Sequence, residues 1–177
     1  MANVTAYKSL NMNAPYIWYG NITQATYLVL SISDGYRTGN YFGSFTYYNN
    51  DIYNGILTSY NQYSGGTVDY VVSGLYLNAK TVENYVNAGN ASGLYQYGLS
   101  GNDVITGSQY NDYLMGFDGN DTFISSKGID TIDGGSGTNT VVYKGKMSEA
   151  TLTKSAGYYS ISWNNRIPDT LINIQYL

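Results

Sequence analysis

The sequence predicts an all-β protein. A short parallel solenoid of strands lies between an N-terminal antiparallel β region with one short helix and a set of C-terminal capping strands. Three observations predict it. The 177 residues include 22 Tyr and 21 Gly while charged residues make up only 11%, which suits strands and turns better than solvated helices. Apolar residues alternate with a period of two in several segments of residues 1–97. Residues 98–142 repeat every nine positions.

Taken in order, Thr26–Ser33 would place Leu28, Leu30 and Ile32 on one strand face, and Thr67–Val72 would do the same with Val68, Tyr70 and Val72. Tyr41–Tyr48 and Gly55–Tyr63 alternate with more Tyr and polar residues. Asp34-Gly35, Asn49-Asn50-Asp51 and Ser64-Gly65-Gly66 are turn sequences at hairpin spacing. Over 78–88 the period lengthens: Asn78 can cap a helix whose Val82, Tyr85 and Val86 share a face, and Gly89 would stop it. After the repeats, Tyr159, Ile161 and Trp163 alternate beyond a Ser155–Gly157 turn, and Thr170–Leu177 reads as a final apolar strand. The organisation expected is thus 1–97, 98–142 and 143–177.

Absent residue types narrow the function. There is no His and no Cys, so Ser–His–Asp and Cys–His catalysis, thiolate or imidazole zinc sites and disulfides are excluded. A net charge of −4 with only 8 Lys and Arg argues against nucleic acid as a partner. The longest apolar runs, Tyr16–Tyr19 and Tyr27–Leu30, are far too short to span a bilayer, and residues 1–20 show no signal-peptide pattern. The negative charge is concentrated. Residues 98–142 carry six Asp against one Lys, a net −5, whereas the remaining six acids and seven bases net +1.

Read in nines from Gly98, the repeat runs GLSGNDVIT, GSQYNDYLM, GFDGNDTFI, SSKGIDTID, GGSGTNTVV. The sixth position is Asp103, Asp112, Asp121, Asp130 and then Asn139; the eighth is Ile105, Leu114, Phe123, Ile132 and Val141, apolar every time. Chance coincidence of both patterns is below about one per cent. A six-residue turn and a three-residue strand make half a coil, so eighteen residues complete one, with coils stacked about 4.8 Å apart. The eighth-position side chains would then fill a narrow core. Aspartates eighteen residues apart would meet on one edge, where their repulsion calls for a hard cation with oxygen ligands. Ca²⁺ is the expected ion, because it accepts carbonyl oxygens and flexible geometry and no soft ligand is present.

This pattern resembles the RTX family, whose nonapeptide is G-G-x-G-x-D-x-U-x. The resemblance implies a calcium-binding β-roll and a ligand set. Each ion takes the second- and fourth-position carbonyls and the Asp of one turn, then the first- and third-position carbonyls and the Asp of the turn eighteen residues on. Carried over, site one is Leu99, Gly101, Asp103, Gly116, Asp118 and Asp121. Site two is Ser108, Tyr110, Asp112, Ser125, Lys127 and Asp130. Site three is Phe117, Gly119, Asp121, Gly134, Ser136 and Asn139. Tyr110 and Ser125-Ser126 replace glycines and are expected to strain the turns of site two. Asn139 gives site three a neutral ligand, so the sites rank one, then two and three.

Without Ca²⁺, a thin core and a net −5 predict a loosely structured segment, so ion binding and folding are coupled. The resemblance further implies a bacterial protein exported through a C-terminal signal that folds in extracellular calcium. The acids outside the repeat, Asp34, Asp51, Asp69, Glu83, Glu149 and Asp169, show no local pairing, so no enzyme is expected. The sixteen Tyr of residues 1–97 could fill a core, pack against another copy or stack on sugar rings. The expected function is a secreted calcium-binding structural protein that self-associates into an extracellular matrix, surface layer or filament. The alternative is a carbohydrate-binding or adhesion module, or an accessory domain of an extracellular enzyme. Chance accounts for the Asn-x-Ser/Thr triplets at Asn3, Asn21, Asn90 and Asn120 in a chain this rich in Asn and Thr.

Overall fold

The computed structural model describes residues 1–49, 51–163 and 167–177; Asn50 of the expected 49–51 turn lies outside them. The chain is mostly strand. β1 (Asn3–Ala6), β2 (Asn21–Ala25), β3 (Val29–Ser33), β4 (Arg37–Tyr48), β5 (Asp51–Ser64), β6 (Thr67–Ser73) and β7 (Leu77–Asn78) precede helices α1 (Ala79–Asn87) and α2 (Ala91–Gly98). The repeat then contributes β8 (Val104–Thr106), β9 (Tyr113–Met115), β10 (Thr122–Ile124), β11 (Thr131–Asp133) and β12 (Thr140–Val142). β13 (Ala150–Ser155), β14 (Tyr158–Trp163) and β15 (Asp169–Ile172) complete the chain.

Three-residue strands at a nine-residue step alternate between two sheets. β8, β10 and β12 pair in parallel at a register of eighteen, Val104 against Thr122 against Thr140. β9 and β11 do the same in the opposing sheet, Tyr113 against Thr131. Ile105, Leu114, Phe123, Ile132 and Val141 point between the sheets and are all 0% exposed, each worth roughly 1.5–3 kcal/mol of gross burial.

Both ends of this roll are closed by sequence without the repeat. β1 pairs in parallel with β8, setting Val4 against Ile105, while its other edge pairs antiparallel with β6. Asn11 bridges Tyr113 in parallel, so residues 2–12 lay down one coil beneath the first repeat. At the other end β15 continues β11, Leu171 over Ile132, and Tyr176 bridges Thr140. A single sheet therefore runs β12-β10-β8-β1-β6-β5-β4-β3-β2, from the roll into the antiparallel hairpins.

The hairpin turns at Asp34-Gly35 and Ser64-Gly65-Gly66 form, with Gly35, Gly65 and Gly66 all at positive φ. Asn78 caps α1 by accepting from the Thr81 N–H at 2.9 Å. Past the helix the Gly89 N–H donates to the Val86 carbonyl and the Asn90 N–H to that of Tyr85, with Gly89 at φ +66°; this pairing satisfies carbonyls that a helix end leaves open.

Four expectations change. Leu28 is not a core residue but stands 60% exposed in the turn before β3. A second helix follows the first, because Asn90 both ends one and caps the next by accepting from the Gly93 N–H. The run Thr170–Leu177 is broken at Asn173, whose φ of +54° ends β15. The turns of site two avoid left-handed backbone at the positions that replace glycine: neither Tyr110 nor Ser125 or Ser126 adopts positive φ. Tyr110 lies in the lowest turn of its edge, where no earlier repeat crowds it.

Glycine at the fourth position is required only higher up. A Cβ on Gly119 (φ +129°) would stand 2.2 Å from the Gly101 carbonyl oxygen, whereas one on Gly101 would meet nothing nearer than 4.0 Å. Gly119→Ala should therefore cost the roll about 2–4 kcal/mol in urea unfolding, and Gly101→Ala under about 1 kcal/mol.

Candidate metal centre

The sixth position of each repeat ends a turn and faces inward, so Asp103, Asp112, Asp121, Asp130 and Asn139 are all no more than 4% exposed. One oxygen of each serves the backbone of a neighbouring coil. The Asp103 N–H donates to Asp121 Oδ1 at 2.8 Å and the Asp121 N–H to Asn139 Oδ1 at 2.9 Å. On the opposite edge the Asp112 N–H donates to Asp130 Oδ1 at 2.9 Å. The closing coils extend both ladders. The Ala2 N–H donates to Asp103 and the Leu10 N–H to Asp112, while the Asp130 N–H reaches Asp169 and the Asn139 N–H reaches Gln175.

A second ladder runs in the other direction one residue earlier. The Asn102 and Asn111 side chains accept from the Asn120 and Ile129 N–H groups, and Asn120 accepts from Thr138.

The second carboxylate oxygen distinguishes the sites. Oδ2 of Asp103, Asp121 and Asp130 is buried and has no hydrogen-bond partner. A bare buried carboxylate oxygen is costly unless a cation or proton meets it. Asp112 differs because the Ser108 N–H donates to its Oδ2 at 2.7 Å and the Ser108 hydroxyl lies 3.0 Å away. The Ser126 hydroxyl also donates to the Ser108 carbonyl, one of the expected ligands of site two.

In site three, Asn139 turns Oδ1 to the Asp121 N–H, so its Nδ2 must face the other way, where it donates to the Asn173 carbonyl at 3.2 Å. The neutral residue thus supplies a donor where Asp121 presents a bare oxygen. Both carboxylates of site one, by contrast, keep an unpartnered oxygen.

The other expected ligands enter through their backbones. Gly116 and Gly134 are buried and Gly101 and Gly119 half-buried, while Asp118, Lys127 and Ser136 turn their side chains to solvent. The Ser136 hydroxyl donates to Asp118 Oδ1 at 2.8 Å. Phe117 holds φ +65°, and its carbonyl accepts from the Ser136 N–H at 2.7 Å. Leu99 is the C-terminal cap of α2 and Gly98 its last residue, so the first repeat begins in a helix end and not in a roll turn. Buried Ser125 leaves its hydroxyl unpartnered, and Tyr110 is exposed.

Asp169 is the ladder residue that the nonapeptide register misses, because an eighteen-residue step from Asp130 lands elsewhere. A local signal exists. Asp169-Thr170-Leu171 repeats the Asp-Thr-apolar triplet of Asp121-Thr122-Phe123 and Asp130-Thr131-Ile132. Its Oδ2 accepts from the Tyr143 hydroxyl at 3.1 Å.

Stacked turns with inward aspartates on two edges define a calcium-binding parallel β-roll. Residues 97–132 and 115–143 match the family model of the RTX calcium-binding nonapeptide repeat. The segment 97–143 is a run of RTX repeats, and Ca²⁺ is the ion such repeats bind. No curated protein matches the chain.

Burial pushes the Asp121 carboxyl up to about 6, with Asp103 and Asp118 adding repulsion. It pushes Asp130 up to about 7, with Asp169 and Asp112 adding repulsion. Both lie above the ordinary 3.8. Protonation therefore favours the metal-free fold: that stabilisation is complete below about pH 4 and is lost as pH rises through 6 and 7. Metal-free protein should show more folded β signal by circular dichroism at pH 5 than at pH 8, and saturating Ca²⁺ should abolish the difference.

Proposed function

We propose that the protein is an extracellular structural protein whose roll folds on Ca²⁺ and which then associates with further copies of itself. The observation that carries the calcium part is the pair of buried, unpartnered oxygens at Asp103 and Asp121. Site one would hold the ion through these two carboxylates and the carbonyls of Leu99, Gly101, Gly116 and Asp118. Among the described residues no three carboxylates converge, so backbone carbonyls must complete the shell, as Ca²⁺ permits. Sites two and three are weaker in this reading, because Ser126 and Asn139 already place hydrogen-bond donors in them.

RTX repeats are typical of exported bacterial proteins. Extracellular calcium supplies the ion, and a chain that folds only there avoids assembling too early. No helix among the described residues is long and apolar enough to cross a membrane.

Support for self-association comes from β2, the outer strand of the large sheet. All five of its residues are exposed, Ile22 at 59%, and it carries neither charge nor proline. Such an edge is a template for another strand, and a bulge between Ile22 and Gln24 is its one guard. Eight Tyr of residues 1–97 are also exposed, surface that suits a protein partner. The reading includes no catalytic role.

Light scattering and negative-stain microscopy should show ordered multimers at millimolar Ca²⁺ and monomers in chelator. Ile22→Lys should suppress the multimers without changing calcium affinity. A native protein that stays monomeric at high calcium yet is retained on a polysaccharide gel would replace assembly with the carbohydrate-binding reading. In calorimetric titration Asp121→Ala, which touches two sites, should weaken Ca²⁺ binding at least tenfold and more than Asp130→Ala does; equal losses would refute the eighteen-residue pairing.

A further inference from the structure

Between α1 and α2 and the inner face of β4–β6 lies a cavity of about 130 Å³. It sits outside the calcium ladders, and the calcium reading does not use it. Leu57, Val72, Leu77, Val82 and Leu94 form its apolar wall, with Tyr41, Tyr60, Tyr70 and Tyr95 on the same lining. Among the described residues, no charged residue lines it.

One polar residue is out of place in such a core. Gln62 is 8% exposed. Its Oε1 lies 3.1 Å from each of three donors, Trp18 Nε1, Tyr60 OH and Tyr70 OH. An amide oxygen has two lone pairs, so it satisfies two such donors well and leaves the third to turn to a neighbouring hydroxyl, Tyr41 beside Tyr60 or Tyr95 beside Tyr70, or to a ligand. The aromatic rings stack around it, Tyr41 to Tyr60 at 4.6 Å and Tyr60 to Tyr70 at 5.8 Å between centroids. The amide Nε2 is held from behind by Asp69 at 3.3 Å, and Asp69 in turn pairs with Lys8 at 2.5 Å. The polar centre is therefore anchored and not a loose side chain.

The cover is also built. Residues 13–20 form neither helix nor strand, and Trp18 closes over the site through its bond to Gln62. The Arg37 guanidinium pins this segment from outside, 5.2 Å from the Trp18 ring centre and 5.7 Å from that of Tyr16.

These features select a ligand. A cavity near this size accepts one six-membered ring; an engineered apolar cavity of about 150 Å³ binds benzene. Burial pushes the Tyr41 hydroxyl up to about 12 and raises Tyr60, Tyr70 and Tyr95 as well, so the tyrosines are neutral, and an anionic ligand would find no counter-charge among the described residues of the lining. A sugar would bury more hydroxyls than the few polar groups can pair. We propose that this cavity is a binding site for a neutral, single-ring aromatic molecule carrying one hydrogen-bonding group, which exchanges a bond with the spare donor at Gln62.

The test uses methyl and indole NMR signals of the calcium-loaded full chain, titrated with p-cresol, toluene and glucose. p-Cresol should shift the Val82 and Leu94 methyls and the Trp18 indole signal saturably, binding about tenfold more tightly than toluene, as one hydrogen bond provides. Tyr70→Phe, which leaves two donors for the two lone pairs of Gln62 Oε1 and so no spare donor, should bring that ratio close to one; if this variant does not fold, Tyr60→Phe removes the surplus donor in the same way. No saturable shift up to the solubility limit of p-cresol, equal affinities for p-cresol and toluene in the native protein, or glucose moving the same methyls would each refute the assignment.

Discussion

Each inward aspartate of the roll has two oxygens with different duties, and the structure depends on that division. One oxygen accepts an N–H from the neighbouring coil, as Asp121 does from Asp103 and Asp130 from Asp112. It thereby closes a backbone group that a six-residue turn cannot satisfy within itself. The other oxygen at Asp103, Asp121 and Asp130 is left buried and bare. The same geometry that zips the turns together therefore creates a need for positive charge at regular steps. Stability and cation binding cannot be separated in such a design.

The departures from the repeat fit this logic. Ser108 satisfies Asp112 with its own N–H and hydroxyl, and Asn139 brings its own donor. These substitutions appear on the lowest turn of one edge and near the top of the other. They let a short roll end without a charge deficit at every rung. Residues 2–12 and 169–177 act in the same way on the backbone, offering the last strands a parallel partner and the last core residues a lid in Val4 and Leu171. Open ends of a parallel solenoid would otherwise expose strand edges and apolar side chains together.

β1 also joins two unlike halves. It is parallel to β8 on one side and antiparallel to β6 on the other, so the hairpin sheet continues the roll sheet without a break. Ala2, Val4 and Ala6 are each at most 5% exposed, which makes this strand the seam where the core of the roll meets that of the helices. The cavity around Gln62 lies just beyond this seam, and Val4, Leu10 and Leu99 contribute to its wall.

By itself the sequence determined the period, the ion and the core of the roll. A nine-residue spacing of Asp and apolar residues has one geometric solution, and it can be read locally because each repeat carries the same instruction. The cap at Asn78, the stop at Gly89 and the hairpin turns were legible for the same reason: their chemistry is contained in a few adjacent residues. The capping strands were expected from sequence, but tertiary structure alone decided which residues close each rung of the roll. Ala2, Leu10 and Gln175 carry no repeat signature, and Asp169 carries only a three-residue echo of it. They join the ladders because the fold returns distant backbone to an open rung, across separations of 101 residues for Ala2 and 39 for Asp169. Leu28, placed in a strand by its period, was lost to a turn, and Gln62, polar and unremarkable in sequence, became the centre of an apolar cavity. Burial is a property of what surrounds a residue, and those surroundings come from other parts of the chain.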